Sequence, residues 1–154
     1  HIRLKRIELM SNKLVLVAPK EMRLPSKMEP RMLSEMPLIF REKGSATRTM
    51  MERFVSRHKI MVQRKIELSS NEAVKQAVIA GMGVSIMPLI GLKNELQLKQ
   101  IRIVPLKGTP LKTHWNLVWL KEKKLSPLSE ALIAHIAEQR EEIIRQQFGW
   151  AEGY

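Results

Sequence analysis

Arg41-Glu-Lys-Gly-Ser-Ala-Thr-Arg48 follows a short apolar run, Pro37-Leu-Ile-Phe40, and precedes a segment in which Met50, Met51, Phe54 and Val55 recur at helical spacing. The order reads as buried strand, tight loop, amphipathic helix over Ala46 to Arg57 with Ser45 as its N-cap. Gly44 lets the backbone turn sharply between the two elements. The amides of Ser45, Ala46 and Thr47 then sit at a helix N-terminus and face whatever lies beyond the strand end, a place where anions bind. Hydroxyls on Ser45 and Thr47, with Arg41 or Arg48 nearby, add donors for a carboxylate or a phosphate. An ordinary capped helix would carry the same residues, so this segment alone leaves both readings open.

Working outward, Leu14 to Ala18 is a continuous apolar run closed by Pro19, a buried strand. Pro25 and Pro30 mark an irregular stretch. Lys65 to Leu68 reads as a strand, and Ser69-Ser-Asn-Glu72 has the spacing of a capping box opening a helix with Ala73, Val74, Ala77 and Val78 on one face. Gly81 ends that helix in a left-handed cap, and Val84 to Met87 is a strand before Pro88. Ile101 to Val104 and Trp115 to Leu120 complete the strands. Ser126-Pro127 caps a long final helix whose Leu128, Leu132, Ile136 and Ile133, Ala137, Ile144 rows give an apolar face. Alternating strands and helices with short connections define an α/β chain with a parallel or mixed sheet.

The 154 residues are 44% apolar, enough for a real core. Cysteine is absent, which excludes disulfide scaffolds, thiolate metal sites and cysteine nucleophiles and fits a reducing, cytoplasmic setting. No apolar run approaches the roughly 20 residues of a membrane helix, and the N-terminus alternates charged with apolar residues, unlike a signal sequence. His1 is an unusual first residue, so the natural start is expected upstream. Net charge is +12, spread along the chain. With few aromatics and no helix-turn-helix pattern, that charge points to an anionic ligand or to a tendency to stay near DNA, not to direct nucleic-acid binding.

All 15 acidic residues are Glu, which removes EF-hand loops, Asp-held magnesium sites and a Ser-His-Asp triad. His1, His58, His114 and His135 lack metal-ligand spacing, so neither a metal nor another cofactor is expected. No nucleophile elbow is present, and no catalytic residue is assigned. Glu42, the carboxylate beside the loop, reads as a solvated charge. Gly81-Met-Gly83 ends a helix and opens a strand, the reverse of a dinucleotide loop; it reads as a C-cap packed tightly before a strand. Met22, Met28, Met32 and Met36 are core by default, with a groove or interface as the alternative.

Together, Arg41-Glu-Lys-Gly-Ser-Ala-Thr-Arg48 and Ser70-Asn-Glu-Ala-Val-Lys-Gln-Ala-Val78, running into Ala80-Gly-Met-Gly-Val-Ser-Ile-Met-Pro88, resemble LysR-type transcriptional regulators. The resemblance implies a periplasmic-binding-protein-like (type 2) effector domain of two α/β lobes with mixed sheets, the first lobe incomplete. Residues 1–17 would end the first lobe and form a hinge strand, 18–106 the second, effector-binding lobe, and 107–154 the return strand and final helix. It adds Lys43 and Gly44 to Ser45 on the cleft wall, so the expected ligand contacts are Arg41, Lys43, Gly44, Ser45, Thr47 and Arg48. It further implies a small anionic metabolite as effector, DNA bound only through a separate N-terminal winged helix-turn-helix, and a homodimer or homotetramer. The usual His-Pro-Leu after the first hinge strand is Met22-Arg23-Leu24 here. A solute-binding protein of the same fold is the competing reading.

Overall fold

The computed structural model describes residues 2–154, which form two compact units: residues up to Asn12 with Thr113–Tyr154, and Lys13–Lys112. His1 lies outside the described residues. A long strand, β1 (Leu4–Pro19), contributes its first half to one unit and its second half to the other.

In the larger unit β1 is followed by a short two-turn helical segment (Pro30–Glu35), β2 (Pro37–Arg41), α1 (Ala46–Arg57), β3 (Arg64–Leu68), α2 (Asn71–Ile79), β4 (Ser85–Pro88), α3 (Lys93–Gln97) and β5 (Ile101–Ile103). The apolar run Leu14 to Ala18 is buried because β4 and β5 flank it, both antiparallel, with Leu16 opposite Ile86 and Val17 opposite Ile103. β2 and β3 are parallel, Pro37 facing Arg64 and Arg41 facing Leu68. A parallel bridge joins β2 to β4: the Ile39 amide donates to the Val84 carbonyl at 2.9 Å and the Val84 amide to that of Pro37 at 3.0 Å. The strand pairing is therefore mixed. Helix α1 lays Met51 and Phe54 into a core with Leu14, Leu16, Leu38, Phe40 and Ile86, where each fully buried aliphatic side chain contributes roughly 1.5–3 kcal/mol.

Gly83 is required by close approach: a Cβ built on it would lie 2.4 Å from the Pro37 carbonyl oxygen. The tight packing expected of Gly81-Met-Gly83 is thus present, and Gly81 holds the positive φ of a helix end at 78°. Ser85 is buried and satisfied, its hydroxyl donating to the Ile39 carbonyl at 2.6 Å. Met28 is wholly in the core, with Met22, Met32 and Met36 packed partly against it.

The helix after β3 is capped by Ser70, one residue later than the capping-box reading, with its Oγ accepting from the Ala73 amide at 3.0 Å. Glu72 turns outward instead, pairing with Lys75 at 2.8 Å and accepting from Gln76 at 3.0 Å. Replacing Ser70 with alanine is expected to lower stability by about 1 kcal/mol, measured as a shift in urea midpoint at unchanged slope.

In the smaller unit the first half of β1 pairs with β6 (Leu111–Leu120), and α4 (Pro127–Phe148) follows. The alternation of charged and apolar residues from Leu4 to Met10 is a strand with a largely exposed face, longer at its start than the Leu14 to Ala18 reading. The Ser126 cap and Pro127 are where the sequence puts them, Ser126 Oγ accepting from the Ser129 amide at 3.1 Å. Arg140 donates to the Glu8 carbonyl at 2.7 Å, and His114 meets the Glu8 carboxylate at 2.9 Å. The apolar rows of α4 are not buried: Leu128 is 80% and Leu132 56% exposed, and Trp115, Val118 and Leu120 on β6 are exposed as well.

Candidate functional site

Because β2, β3 and β4 run in one direction, their carboxyl ends share one edge, the usual ligand-binding edge of an open α/β sheet. Arg41 ends β2, Leu68 ends β3, and a serine-capped helix follows each. Between Arg41 and α1 the chain turns through Gly44 at φ 94°, with the Ser45 amide donating to the Glu42 carbonyl at 3.3 Å. The side chain of Ser45 accepts from the Arg48 amide at 3.3 Å. That cap leaves the amides of Ala46 and Thr47, the first two of the helix, without an acceptor among the described residues. Lys43 and Gly44 are exposed beside them, and Thr47 is half-buried.

The two arginines of the segment behave differently. Arg41 stays at the edge, giving Nε and Nη2 to the Glu42 carboxylate at 2.8 and 2.9 Å and Nη1 to Asn71 Oδ1 at 2.6 Å. It thereby ties the loop after β2 to the first residue of α2. Arg48 turns inward and is 3% exposed. Its Nε donates to Glu52 at 2.8 Å, its Nη1 to the Arg41 carbonyl at 2.8 Å and to the Glu67 carboxylate, and its guanidinium lies 5.7 Å from the centre of the Phe40 ring. The structure thus gathers Arg41, Lys43, Gly44, Ser45 and Thr47 at one edge and aims the Arg48 guanidinium at carboxylates behind them.

Electrostatics follow the pairing. The hydrogen bond from Arg41 holds Glu42 below the usual carboxylate range, and the hydrogen bond from Arg48 does the same for Glu67. Both arginines are raised in turn, Arg41 chiefly by Glu42 and Arg48 chiefly by Glu67. Glu42 is therefore ion-paired, not the freely solvated charge its sequence position suggests.

A shallow cleft of about 130 Å³ opens at the same edge, lined by Asn71, Glu72, Lys75, Met87, Pro88, Gly91 and Leu92. Lys75 bridges Glu72 and Glu95 at 2.8 and 2.9 Å. Among the described residues no three His, Cys, Asp or Glu side chains converge as a metal site. His58 stacks on Phe54, ring centres 4.4 Å apart. Sequence reasoning missed Asn71 as the partner of Arg41 and Glu52 and Glu67 as partners of Arg48. Asn71 stood within the Ser-Asn-Glu motif, but its pairing spans 30 residues and depends on β2 lying beside β3.

The chain belongs to the LysR substrate binding domain family, whose model matches residues 1–141. Its fold is the type 2 periplasmic-binding-like fold of LysR regulatory domains. Among curated relatives it is 37% identical over 131 residues to the HTH-type transcriptional regulator CbbR of Rhodospirillum rubrum, covering 85% of this chain and 44% of the relative. It is 34% identical over 127 residues to the RuBisCO operon transcriptional regulator of Acidithiobacillus ferrooxidans, covering 81% and 41%. The chain thus spans less than half the length of these relatives. The regulatory domain of CcmR from Synechocystis PCC6803, solved in complex with 2-PG, superposes with a TM-score of 0.81 at 31% identity, over 88% of this chain and 66% of that one. The effector-binding domain of QuiR in complex with shikimate, 20% identical with a TM-score of 0.75 over 90% of this chain and 66% of that one, shares the fold. The curated relatives it matches are transcriptional regulators, and the family match places the chain with LysR regulatory domains.

Proposed function

We propose that this chain senses a small anion at the carboxyl edge of β2 and β3, and that in the whole protein the bound anion controls DNA binding by a separate N-terminal winged helix-turn-helix. The observation that carries the reading is the placing of the Arg41 guanidinium at the end of β2 and, after the short loop through exposed Lys43 and Gly44, of the unpaired first amides of α1 at Ala46 and Thr47. A guanidinium fork and a helix N-terminus together match a phosphate or carboxylate in charge and in donor geometry. Ser45 and Thr47 add hydroxyls. Arg48, with Nε committed to Glu52 and Nη1 to Glu67 and the Arg41 carbonyl, shapes the loop from behind.

The 2-PG bound by the similar CcmR domain supports an anionic effector, and 2-phosphoglycolate is the first candidate. Relatives that regulate RuBisCO operons support the same class of control for the whole protein. We assign residues 1–17 and 107–154 to the first lobe and its hinge strands and 18–106 to the second. The exposed apolar residues of α4 and β6 support a first lobe completed by further protein. A homodimer or homotetramer acting in the cytoplasm is the assembly this reading takes. No helix among the described residues is long and apolar enough to cross a membrane. The function is binding without turnover.

A thermal-shift screen of 2-PG, inorganic phosphate and neutral polyols tests this. The anions are expected to raise the melting temperature in proportion to the logarithm of their concentration, with the ligand recovered unchanged. Stabilisation by the neutral compounds alone, or chemical conversion of the ligand, contradicts it.

A further inference from the structure

We propose that Glu42 is an intramolecular competitor for the anion site: its carboxylate occupies the Arg41 guanidinium until an effector displaces it, setting a threshold that weakly bound anions do not pass. The inference rests on the anion-sensing reading above and concerns how that site selects its ligand. Arg41 presents two parallel donors to Glu42 in the bidentate geometry with which arginine binds any carboxylate or phosphate. The guanidinium is held from elsewhere as well, through Nη1 on Asn71, and the Arg41 backbone is fixed by the Arg48 bond to its carbonyl. Glu42 has no second side-chain partner among the described residues. Its carboxylate is engaged by Arg41 and by its own backbone, and its side chain is 38% exposed against 18% for Arg41.

The carboxylate can therefore leave by a rotamer change while the guanidinium stays. The backbone need not follow, because the Glu42 carbonyl remains bonded to the Ser45 amide. An incoming anion takes over the two guanidinium donors and can add the Ala46 and Thr47 amides, which Glu42 leaves unpaired. A dianion gains more from that exchange than a monoanion, since it replaces a single charge with a double one. Arg41 also keeps Glu42 ionised well below neutrality, so the competitor is present throughout the physiological range.

Isothermal titration of this chain with inorganic phosphate and with acetate, at constant ionic strength, tests the proposal on the wild type, Glu42→Gln and Glu42→Ala. Both variants are expected to bind phosphate about two- to fivefold tighter than the wild type and to narrow its margin over acetate. Alanine brings no donor of its own, so a gain confined to glutamine overturns the proposal. Equal or weaker phosphate binding in both variants, with binding by the wild type retained, overturns it and leaves the anion site standing. Binding by the variants alone supports it, and no binding by any of the three proteins overturns both readings.

Discussion

Arg41→Gln is expected to weaken 2-PG binding by about ten- to a hundredfold, the loss that follows when a charge-assisted hydrogen bond worth roughly 1.5–3 kcal/mol is removed. Arg41 stands at the carboxyl end of β2 with two donors facing a carboxylate and a third fixed on Asn71. Glutamine keeps part of the length and loses both the charge and the fork. Arg41→Lys is expected to recover only part of the affinity, because a single ammonium reproduces the charge without the paired geometry. Stability in the absence of ligand changes little in either variant, since the bond to Asn71 is exposed and Asn71 and Glu42 are left accessible to water. Calorimetric titration of the variants beside unliganded melting curves separates the two effects. A loss of affinity matched by an equal loss of stability would assign Arg41 a structural role instead.

Gly83→Ala is expected to destabilise the larger unit by about 1–3 kcal/mol, the range for forcing an extra carbon into a packed interior. The clash is with backbone: the new Cβ would lie 2.4 Å from the Pro37 oxygen and 3.1 Å from its carbonyl carbon. Relief requires β2 to move away from β4, and the bond between the Val84 amide and the Pro37 carbonyl at 3.0 Å is the first to suffer. The melting temperature should fall by about 2–4 °C for each kcal/mol lost. An unchanged melting temperature would mean that β2 and β4 can separate without cost. Because β2 carries Arg41, the same substitution should also weaken anion binding.

What the sequence made legible was local. The strand, loop and helix from Pro37 to Arg57 could be read because apolar run, glycine, serine cap and helical spacing all act within a few residues, and Ser126-Pro127 marked the start of α4 for the same reason. The Ser69 or Ser70 ambiguity persisted because two adjacent serines satisfy one pattern, and only the Ala73 amide decides between them. Arg41 and Arg48 looked equivalent in a linear motif. The helix turns the second toward Glu67, 19 residues away on β3, and leaves the first at the edge. Glu42 looked solvated because a sequence does not reveal that the arginine beside it folds back in bidentate geometry. The apolar rows of α4 announced an apolar face, yet burial depends on what lies opposite, and here Leu128 and Leu132 remain in solvent. Family resemblance supplied Lys43, a residue with no local pattern to single it out.

The most direct test of an anion site at this edge is a titration of the isotopically labelled chain with 2-PG, following the backbone amide resonances. Saturable shifts centred on Gly44, Ser45, Ala46 and Thr47, with Asn71 following through Arg41, are the expected result. Shifts centred on other parts of the chain, or none up to millimolar 2-PG, would contradict the site.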